Sequence, residues 1–426
     1  MQRRHHVPDA PAKPKASLWS RLGPGLVTGA ADDDPSGIAT HSQLGASFGY
    51  SMAWTMLFSF PLMAIIQGVA AGIGSVTGRG IAQNLKLHYP KALLYFIVLL
   101  LLVANIINLG ADLGAMGAAL GLLIGGPEWA YTIGFGLLCV AVEVLVPYKR
   151  YAGLLKWSTL SLFAYVAVVM VAGIPWSKAL LSLVVPTFTF DKAHTMALVA
   201  ILGTTISPYL FFWQAAQEVE EGRRRHIKPL MTAPYRAKSE IKRIRTDTLI
   251  GMAVSSLVGI AIIFATAATL HASGVTHIET SAQAAQALLP IAGEFAFALF
   301  ALGIIGTGLL AVPVLAGAAA YAVSEVFGWT ESLEARPSEA RAFYTTIAVA
   351  TLGGVALTFI GLNAVRALYW AAVVNGVLAA PVMAVMMLIA RNKAAMGGMV
   401  LSRGLTIGGW LATAGMATAS VLFFVI

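Results

Sequence analysis

Three consecutive aspartates, Asp32, Asp33 and Asp34, stand before Pro35 and Gly37 inside an apolar stretch. The apolar runs on either side hold only about ten residues each, whereas a helix needs about 20 to cross the hydrocarbon core of a bilayer. Joined into one span, the runs place the three carboxylates near mid-membrane, where a charge costs at least about 2.5 kcal/mol. Unwound backbone is tolerated at that depth only against protein or a water-filled cavity. The stretch therefore predicts a binding site.

A second role for Asp34 follows from its position before a proline. Asp34 is suited to the N-cap of a helix whose first residue is Pro35, where the helix end carries a partial positive charge. The two roles are compatible, and we expect both. A plain exposed loop is the weaker alternative, because it leaves two short apolar stubs without a partner.

Composition places the chain in the membrane. Of its 426 residues 58% are hydrophobic and only 11% are charged, a balance that is typical of a polytopic membrane protein rather than a soluble one. The net charge of +9 does not indicate nucleic-acid binding, because the lysines and arginines lie in connections between apolar runs. Cys139 is the only cysteine, which excludes an intrachain disulfide and a cysteine metal cluster.

The apolar runs predict about eleven transmembrane helices. They cover residues 22–47, 51–74, 92–122, 128–147, 152–173, 194–217, 246–271, 291–325, 341–360, 365–390 and 405–425. All lysines and arginines except Lys178, Lys192 and Arg366 then fall on one side, which predicts a cytoplasmic N-terminus and an external C-terminus. Residues 1–21 are expected to form a disordered cytoplasmic tail, and the basic connection 223–245 a solvated loop. The connection 273–290 is expected to hold a short amphipathic helix.

The sixth span is interrupted like the first. Pro208 follows Thr204, Thr205 and Ser207; proline removes a backbone donor, and the hydroxyls can satisfy the groups that this frees. A simple kink is the alternative reading. Because five spans separate the starts of the two broken helices, a second block of five enters the membrane in the opposite sense, as in transporters built from inverted repeats. We therefore predict a first repeat at 22–173, an inverted repeat at 194–390 and an additional helix at 404–426.

These stretches together resemble a known family. Asp34-Pro35-Ser36-Gly37 is similar to the first-helix motif Asp-Pro-Gly-Asn of Nramp-type divalent-metal transporters, and 203–209 is similar to the sixth-helix stretch that contains Met-Pro-His. The resemblance extends through 300–306 and 318–325 and covers most of the chain. It implies an all-α leucine-transporter-type fold with alternating access. The closest resemblance is to the Nramp-related magnesium transporters.

The resemblance also implies a ligand set, and the departures from it are informative. Asp34 is kept, the asparagine becomes Gly37, the backbone carbonyl falls on Thr204, and the methionine becomes Ser207. A thioether favours soft or borderline ions, whereas hydroxyls, carboxylates and waters favour hard ones. The pattern implies hydrated Mg²⁺, with Mn²⁺ as a further ion. Asp32 and Asp33 either join the site or line its vestibule.

Proton coupling is expected to be weak or absent. Tyr209 and Gln214 stand where the family has histidines, and neither residue type titrates near neutral pH. Residues 112–115 of the third helix are Asp-Leu-Gly-Ala, whereas the family has Asp-Leu-Ala-Glu, so one of the two acids is missing. Asp112 is left as a candidate for an ion or proton pathway. His41 faces either the site or the packed interior.

One further candidate lies in the tenth span. Asn375 either presents its amide oxygen to the site or joins two helices. The sequence alone does not decide between these two roles of Asn375.

The sequence thus predicts a secondary transporter that takes up divalent cations, and we expect it to lie in the cell inner membrane. A proton-coupled Mn²⁺ or Fe²⁺ importer is the first alternative. An amino-acid transporter of the same fold is disfavoured, because three acids would repel its substrate's carboxylate. A membrane-embedded hydrolase is disfavoured because no nucleophile and base pair is recognisable. We expect no enzymatic activity, cofactor, nucleic acid or obligate protein partner.

Overall fold

The computed structural model describes residues 23–146, 162–361 and 363–426, and within these ranges every regular element is helical. The predicted tail, residues 1–21, lies outside them. In chain order the helices are α1 Pro24–Asp32, α2 Pro35–Phe48, α3 Trp54–Thr77, α4 Ile81–His88, α5 Lys91–Ile124, α6 Glu128–Leu145, α7 Phe163–Val171, α8 Trp176–Val184, α9 Lys192–Thr205, α10 Pro208–Arg224, α11 Ala237–Thr266, α12 Ser281–Ala285, α13 Leu289–Ala292, α14 Ala296–Phe327, α15 Arg341–Thr358, α16 Ala364–Arg391, α17 Lys393–Met396 and α18 Arg403–Val425.

Membrane-spanning helices dominate the molecule. The described ranges contain eight helical stretches that are long and apolar enough to cross a bilayer, and α9 with α10 forms one of them. The first span, α1 with α2, is not among the eight because it carries three aspartates, Asp32, Asp33 and Asp34, at its centre. The fifth predicted span lies partly outside the described ranges. The chain is an all-α polytopic membrane protein, whereas the orientation of its termini and the boundaries of the two repeats stay predictions.

The first and sixth spans are broken, as the sequence predicts. Between α1 and α2 the chain passes through Asp33 and Asp34, and Asp34 is extended at φ −69° and ψ 173°. Between α9 and α10 it passes through Ile206 and Ser207, and Ser207 is extended at φ −75° and ψ 129°. A proline opens the second half in both cases, because the first helical position needs no N–H group.

Glycines allow the half-helices to approach their neighbours very closely. A Cβ atom added to Gly29 of α1 would lie 2.4 Å from the carbonyl of Gly251 in α11. A Cβ atom added to Gly203 of α9 would lie 2.3 Å from the backbone nitrogen of Gly376 in α16. The backbones of α1 and α11, and those of α9 and α16, therefore pack directly against each other. Any larger residue at these glycines would push the half-helix away from its neighbour.

The basic connection 223–245 is more ordered than a solvated loop. Its last residues, 237–245, form the first turns of α11. Arg243 donates hydrogen bonds to Glu218 and Glu240, and Arg225 also donates to Glu240. The sequence-based expectation is wrong for this part, because charge counting does not reveal that acidic residues of α10 and α11 fold back onto the arginines.

The connection 273–290 contains a short helix, as expected. Thr280 caps α12 through a capping box with Gln283, in which each side chain bonds to the other residue's backbone N–H. Ile278, just before the helix, is buried. This connection therefore packs into the helical bundle.

Candidate functional site

Asp34 lies at the first break and is almost completely buried, with 1% of its surface exposed. Its Oδ1 accepts hydrogen bonds from the backbone N–H of Gly37 at 2.7 Å and from the hydroxyl of Ser36 at 2.8 Å. Its Oδ2 accepts a hydrogen bond from the hydroxyl of Tyr209 at 3.0 Å. Asp34 thus caps α2 and also joins the two broken spans, so the N-cap that the sequence suggests is present.

Gly37 and Thr204 bring the two breaks together. A Cβ atom added to Gly37 would lie 3.4 Å from Thr204 Oγ1 and 3.6 Å from Asp34 Oδ1. Thr204 Oγ1 is buried and has no hydrogen-bond partner among the described residues. The hydroxyl of Thr204, and not only its carbonyl, is therefore free to bind a cation next to Asp34.

Ser207 turns its hydroxyl back onto its own helix. It donates to the carbonyls of Gly203 and Thr204, at 2.9 and 3.0 Å. These bonds use its proton and leave its oxygen lone pairs available. They also engage the Thr204 carbonyl that the family resemblance assigns to the metal, so an ion binding there would share that oxygen with Ser207.

Asp32 and Asp33 point to a different helix. Ser255 Oγ of α11 lies 2.6 Å from Asp32 Oδ2 and 3.1 Å from Asp33 Oδ1. Among the described residues no three histidine, cysteine, aspartate or glutamate side chains converge on a common point. The arrangement therefore offers one carboxylate, that of Asp34, with hydroxyl and carbonyl oxygens around it. The C-terminal ends of α1 and α9, which carry partial negative charge, add to the attraction for a cation.

Asp112 and Met116 of α5 lie on the other side of the first break. The Asp112 carboxylate is buried, lies next to the backbone N–H of Ser36, and is close enough to Asp34 for electrostatic repulsion. One turn further, the Met116 sulfur packs between Gly308 and Pro35: a Cβ atom added to Gly308 would lie 2.5 Å from the sulfur and 3.4 Å from Pro35 Cγ. Met116 lies four residues after Asp112, on the same face of α5, so the sequence could have indicated that it also lies near the first break.

The remaining predicted residues are placed apart from Asp34, except Tyr209. Gln214 accepts a hydrogen bond from Thr28 of α1 and donates to Glu218. Asn375 forms a reciprocal amide pair with Asn108 of α5, with N···O distances of 2.8 and 3.0 Å. This placement of Asn375 favours the interhelical alternative.

His41 lies in the packed interior, beside Gly259 of α11 and Met56 of α3. Its ring lies next to the backbone carbonyl of Gly37, one turn earlier in α2. Its contacts are with these helices, and no contact with Asp34 is seen in the described part of the chain.

Two sets of contacts close the site from opposite ends. In the first, which we call the α1 cap, Asp247 accepts the backbone N–H groups of Gly23, Gly25 and Leu26 at 2.9, 2.8 and 3.2 Å. This carboxylate satisfies the otherwise unpaired first turn of α1 and binds it to α11.

The second set, which we call the α2 clamp, holds the connection before α12. The Gln43 amide donates to the carbonyl of Thr276 at 3.1 Å and accepts the N–H of Ile278 at 3.0 Å. Ser47 also donates to Thr276. With the α1 cap and the α2 clamp both formed, Thr204 and Ser207 are exposed by only 2% and 1%, so neither side chain is accessible to solvent in this structure.

Comparisons with known proteins agree with this arrangement. A family model described as natural resistance-associated macrophage protein-like matches residues 25–426. The divalent metal cation transporter MntH of Klebsiella pneumoniae strain 342 is 26% identical over 408 residues, which cover 92% of this chain and 91% of that protein. The family match therefore extends across both broken spans.

Solved structures show the same fold. The crystal structure of the Eremococcus coleocola manganese transporter superposes with a TM-score of 0.77 at 16% identity and covers 96% of this chain and 88% of that chain. Mhp1, a nucleobase-cation-symport-1 family transporter, superposes with a TM-score of 0.51 at 13% identity, over 95% and 92% of the two chains. The fold is the leucine-transporter type, and with the family model matching almost its whole length the chain belongs to the Nramp family.

Proposed function

We propose that this protein is a secondary transporter that takes up divalent metal cations by alternating access. The observation that carries the proposal is the meeting of two broken helices deep in the protein, where the Asp34 carboxylate faces the Thr204 hydroxyl across Gly37. One carboxylate with neutral oxygens suits a small divalent cation that keeps part of its water shell. The family relationship supports the same function, since the related proteins are described as divalent metal cation transporters.

Manganese is the ion that we rank first, with ferrous iron beside it. The relative of known structure is described as a manganese transporter. Carboxylate, carbonyl and water ligands suit Mn²⁺ as well as Mg²⁺. The absence of a sulfur at Ser207 therefore argues against soft ions such as Cd²⁺ but does not favour Mg²⁺ over Mn²⁺. The magnesium preference that the sequence suggests has no support from the comparisons.

Magnesium remains the second candidate because of the shape of the ligand set. Gly37 replaces a side-chain ligand with a hydrogen atom, and Ser207 replaces a long thioether with a short hydroxyl. Both changes leave space for waters, which Mg²⁺ releases reluctantly. Ion competition decides between the two candidates.

The test uses the purified protein in liposomes loaded with a metal-sensitive dye. We expect Mn²⁺ to enter, and we expect an equal concentration of Mg²⁺ to leave most of this uptake intact, because Mg²⁺ releases its waters more reluctantly. Asp34→Ala should abolish uptake, because it removes the carboxylate that lies beside Thr204 between the two broken helices. If Mg²⁺ competes on equal terms, the second candidate replaces the first.

A matched control separates binding from helix capping. Asp191 caps α9 through the N–H of His194, as Asp34 caps α2 through that of Gly37, but Asp191 lies at the surface. Asp191→Ala removes a helix cap away from the site and should transport like the wild type. If the wild type carries no divalent cation, or if folded Asp34→Ala transports at the wild-type rate, the proposed function is wrong.

A further inference from the structure

Asp32 and Asp33 are two buried carboxylates beside the proposed ion site, and they share one hydrogen-bond donor. Both are at most 5% exposed, and Ser255 is the only donor that either carboxylate has among the described residues. A hydroxyl carries a single proton, so Ser255 can donate to only one of them at a time. The second oxygen of Asp32, Oδ1, has no partner in the same part of the chain.

The two functional ends of Asp32 face in different directions. Its backbone carbonyl is on the side of Gly37, where an added Cβ atom would lie 3.1 Å from it. Its side chain instead reaches Ser255 on α11. The contact with Ser255 therefore ties the carboxylate to α11, at a position that is still close enough to Asp34 and Tyr209 for electrostatic interaction.

Ser255 is held firmly in this place by its own helix. Gly251 and Gly259 lie one turn before and one turn after it, on the same face of α11. An added Cβ atom at Gly251 would lie 2.2 Å from the carbonyl of Gly25 in α1, and one at Gly259 would lie 3.1 Å from the ring of His41 in α2. The face of α11 thus touches the helices on both sides of the break, and Ser255 stands opposite the break itself.

We propose that Ser255 is a positioning residue of the ion site: its hydroxyl retains Asp32 and Asp33 on α11, so that Asp34 alone presents a carboxylate to the ion. The inference rests on the proposed function. A single carboxylate binds the ion weakly enough to release it, whereas additional charged ligands raise affinity for a divalent cation. Ser255 therefore sets a balance between binding and release.

The test compares the kinetics of Mn²⁺ uptake by Ser255→Ala and wild-type protein in liposomes. With their donor removed, Asp32 and Asp33 are free to turn to the ion, and we expect both KM and Vmax to fall by at least about threefold. Damage to the fold alone lowers Vmax without tightening binding, so the joint fall is the signature of the proposed role. An unchanged or raised KM overturns the inference.

Two serine variants provide matched controls. Ser255→Thr keeps the hydroxyl and should restore the wild-type KM. Ser256→Ala removes a neighbouring buried hydroxyl that has no partner among the described residues, and it should leave KM unchanged. If Ser256→Ala changes KM as Ser255→Ala does, the effect belongs to helix packing and the proposed role of Ser255 is wrong.

A second experiment uses variants of the aspartates and does not require a stable Ser255 variant. If Asp32 is retained on α11, Asp32→Asn should change the KM for Mn²⁺ by less than about twofold, while Asp34→Asn abolishes uptake. Loss of uptake in Asp32→Asn would make Asp32 a direct ligand and overturn the inference. Failure of the wild type to transport would instead refute the proposed function, so the two failures are distinguishable.

Discussion

The carboxylate of Asp34 has a protein donor on each of its oxygens. Ser36 and Gly37 of its own chain segment hold Oδ1, while Tyr209 of the other broken helix holds Oδ2. These bonds orient the group before an ion arrives, which lowers the cost of ordering it during binding. An ion that binds Oδ2 must replace or share the hydroxyl of Tyr209, so ion binding and the contact between the two spans are linked.

The side chain at position 207 is expected to decide which ions the site prefers. Ser207→Met introduces a polarizable sulfur, which Cd²⁺ and Mn²⁺ use and Mg²⁺ does not. In uptake assays, Cd²⁺ should compete at least about tenfold better than in the wild type, while any Mg²⁺ flux falls. A wild type that already prefers Cd²⁺ would contradict the argument from ligand hardness.

Position 37 allows the same idea to be tested from the facing helix. Gly37→Asn should place an amide near Thr204 Oγ1. Its Cβ atom would lie 3.1 Å from the Asp32 carbonyl, so this carbonyl must shift by a few tenths of an ångström to make room. Combined with Ser207→Met, it should favour Cd²⁺ and Mn²⁺ further. Because both residues would touch one ion, the combination should be analysed as a double-mutant cycle.

Helix α1 is the element most clearly built to be held and released. Its N-terminus is tied to α11 by the α1 cap, and its body packs on α11 through Gly25 and Gly29. It also contacts α10 through Thr28 and Gln214. Although α1 has only nine residues, its glycines pack directly on the α11 backbone, so this contact must open before α1 can move as a unit.

Removing the α1 cap should loosen this helix. Asp247→Ala leaves three backbone N–H groups without their acceptor, so α1 should separate from α11 more often. A Val27→Cys reporter should then react with a maleimide at least about fivefold faster, and the native Cys139 gives little background because it is only 2% exposed. Glu240→Gln, which alters the same helix outside the cap, is the control. Equal labelling rates with and without Asp247 would contradict a latching role.

At the scale of the whole molecule, we expect the α1 cap and the α2 clamp to close the proposed ion site together. Alternating access requires that each closure opens while the other stays shut. The α2 clamp attaches the connection before α12 through two hydrogen bonds of the Gln43 amide and one of the Ser47 hydroxyl. The two closures therefore depend on few polar contacts, as expected for states that differ by only a few kcal/mol.

Ion movement is expected to proceed without obligatory proton transfer. Tyr209 bonds to Asp34, and Gln214 bonds to Thr28; neither residue type exchanges a proton near neutral pH. Uptake of Mn²⁺ into liposomes should therefore leave the lumenal pH unchanged, as measured with an entrapped pH dye. Metal-driven acidification that Asp112→Asn abolishes would instead identify Asp112 as a proton relay.

The sequence by itself determined the class of protein and the two breaks. Apolar runs of fixed length and the prolines at 35 and 208 act locally, through hydropathy and backbone hydrogen bonding, so they can be recognised without a fold. The same holds for Asp34, whose N-cap role depends only on the residues that follow it. These features needed no knowledge of distant neighbours.

Only the tertiary structure decided how the neighbouring polar groups are used. Asp32, Asp33 and Asp34 are adjacent in sequence, yet two of them face Ser255, which lies more than 200 positions further along the chain. Asn375 meets Asn108 across 267 positions. Such pairings depend on which helices pack together, and no local pattern encodes them, because a helix presents its side chains on several faces and only packing selects among these.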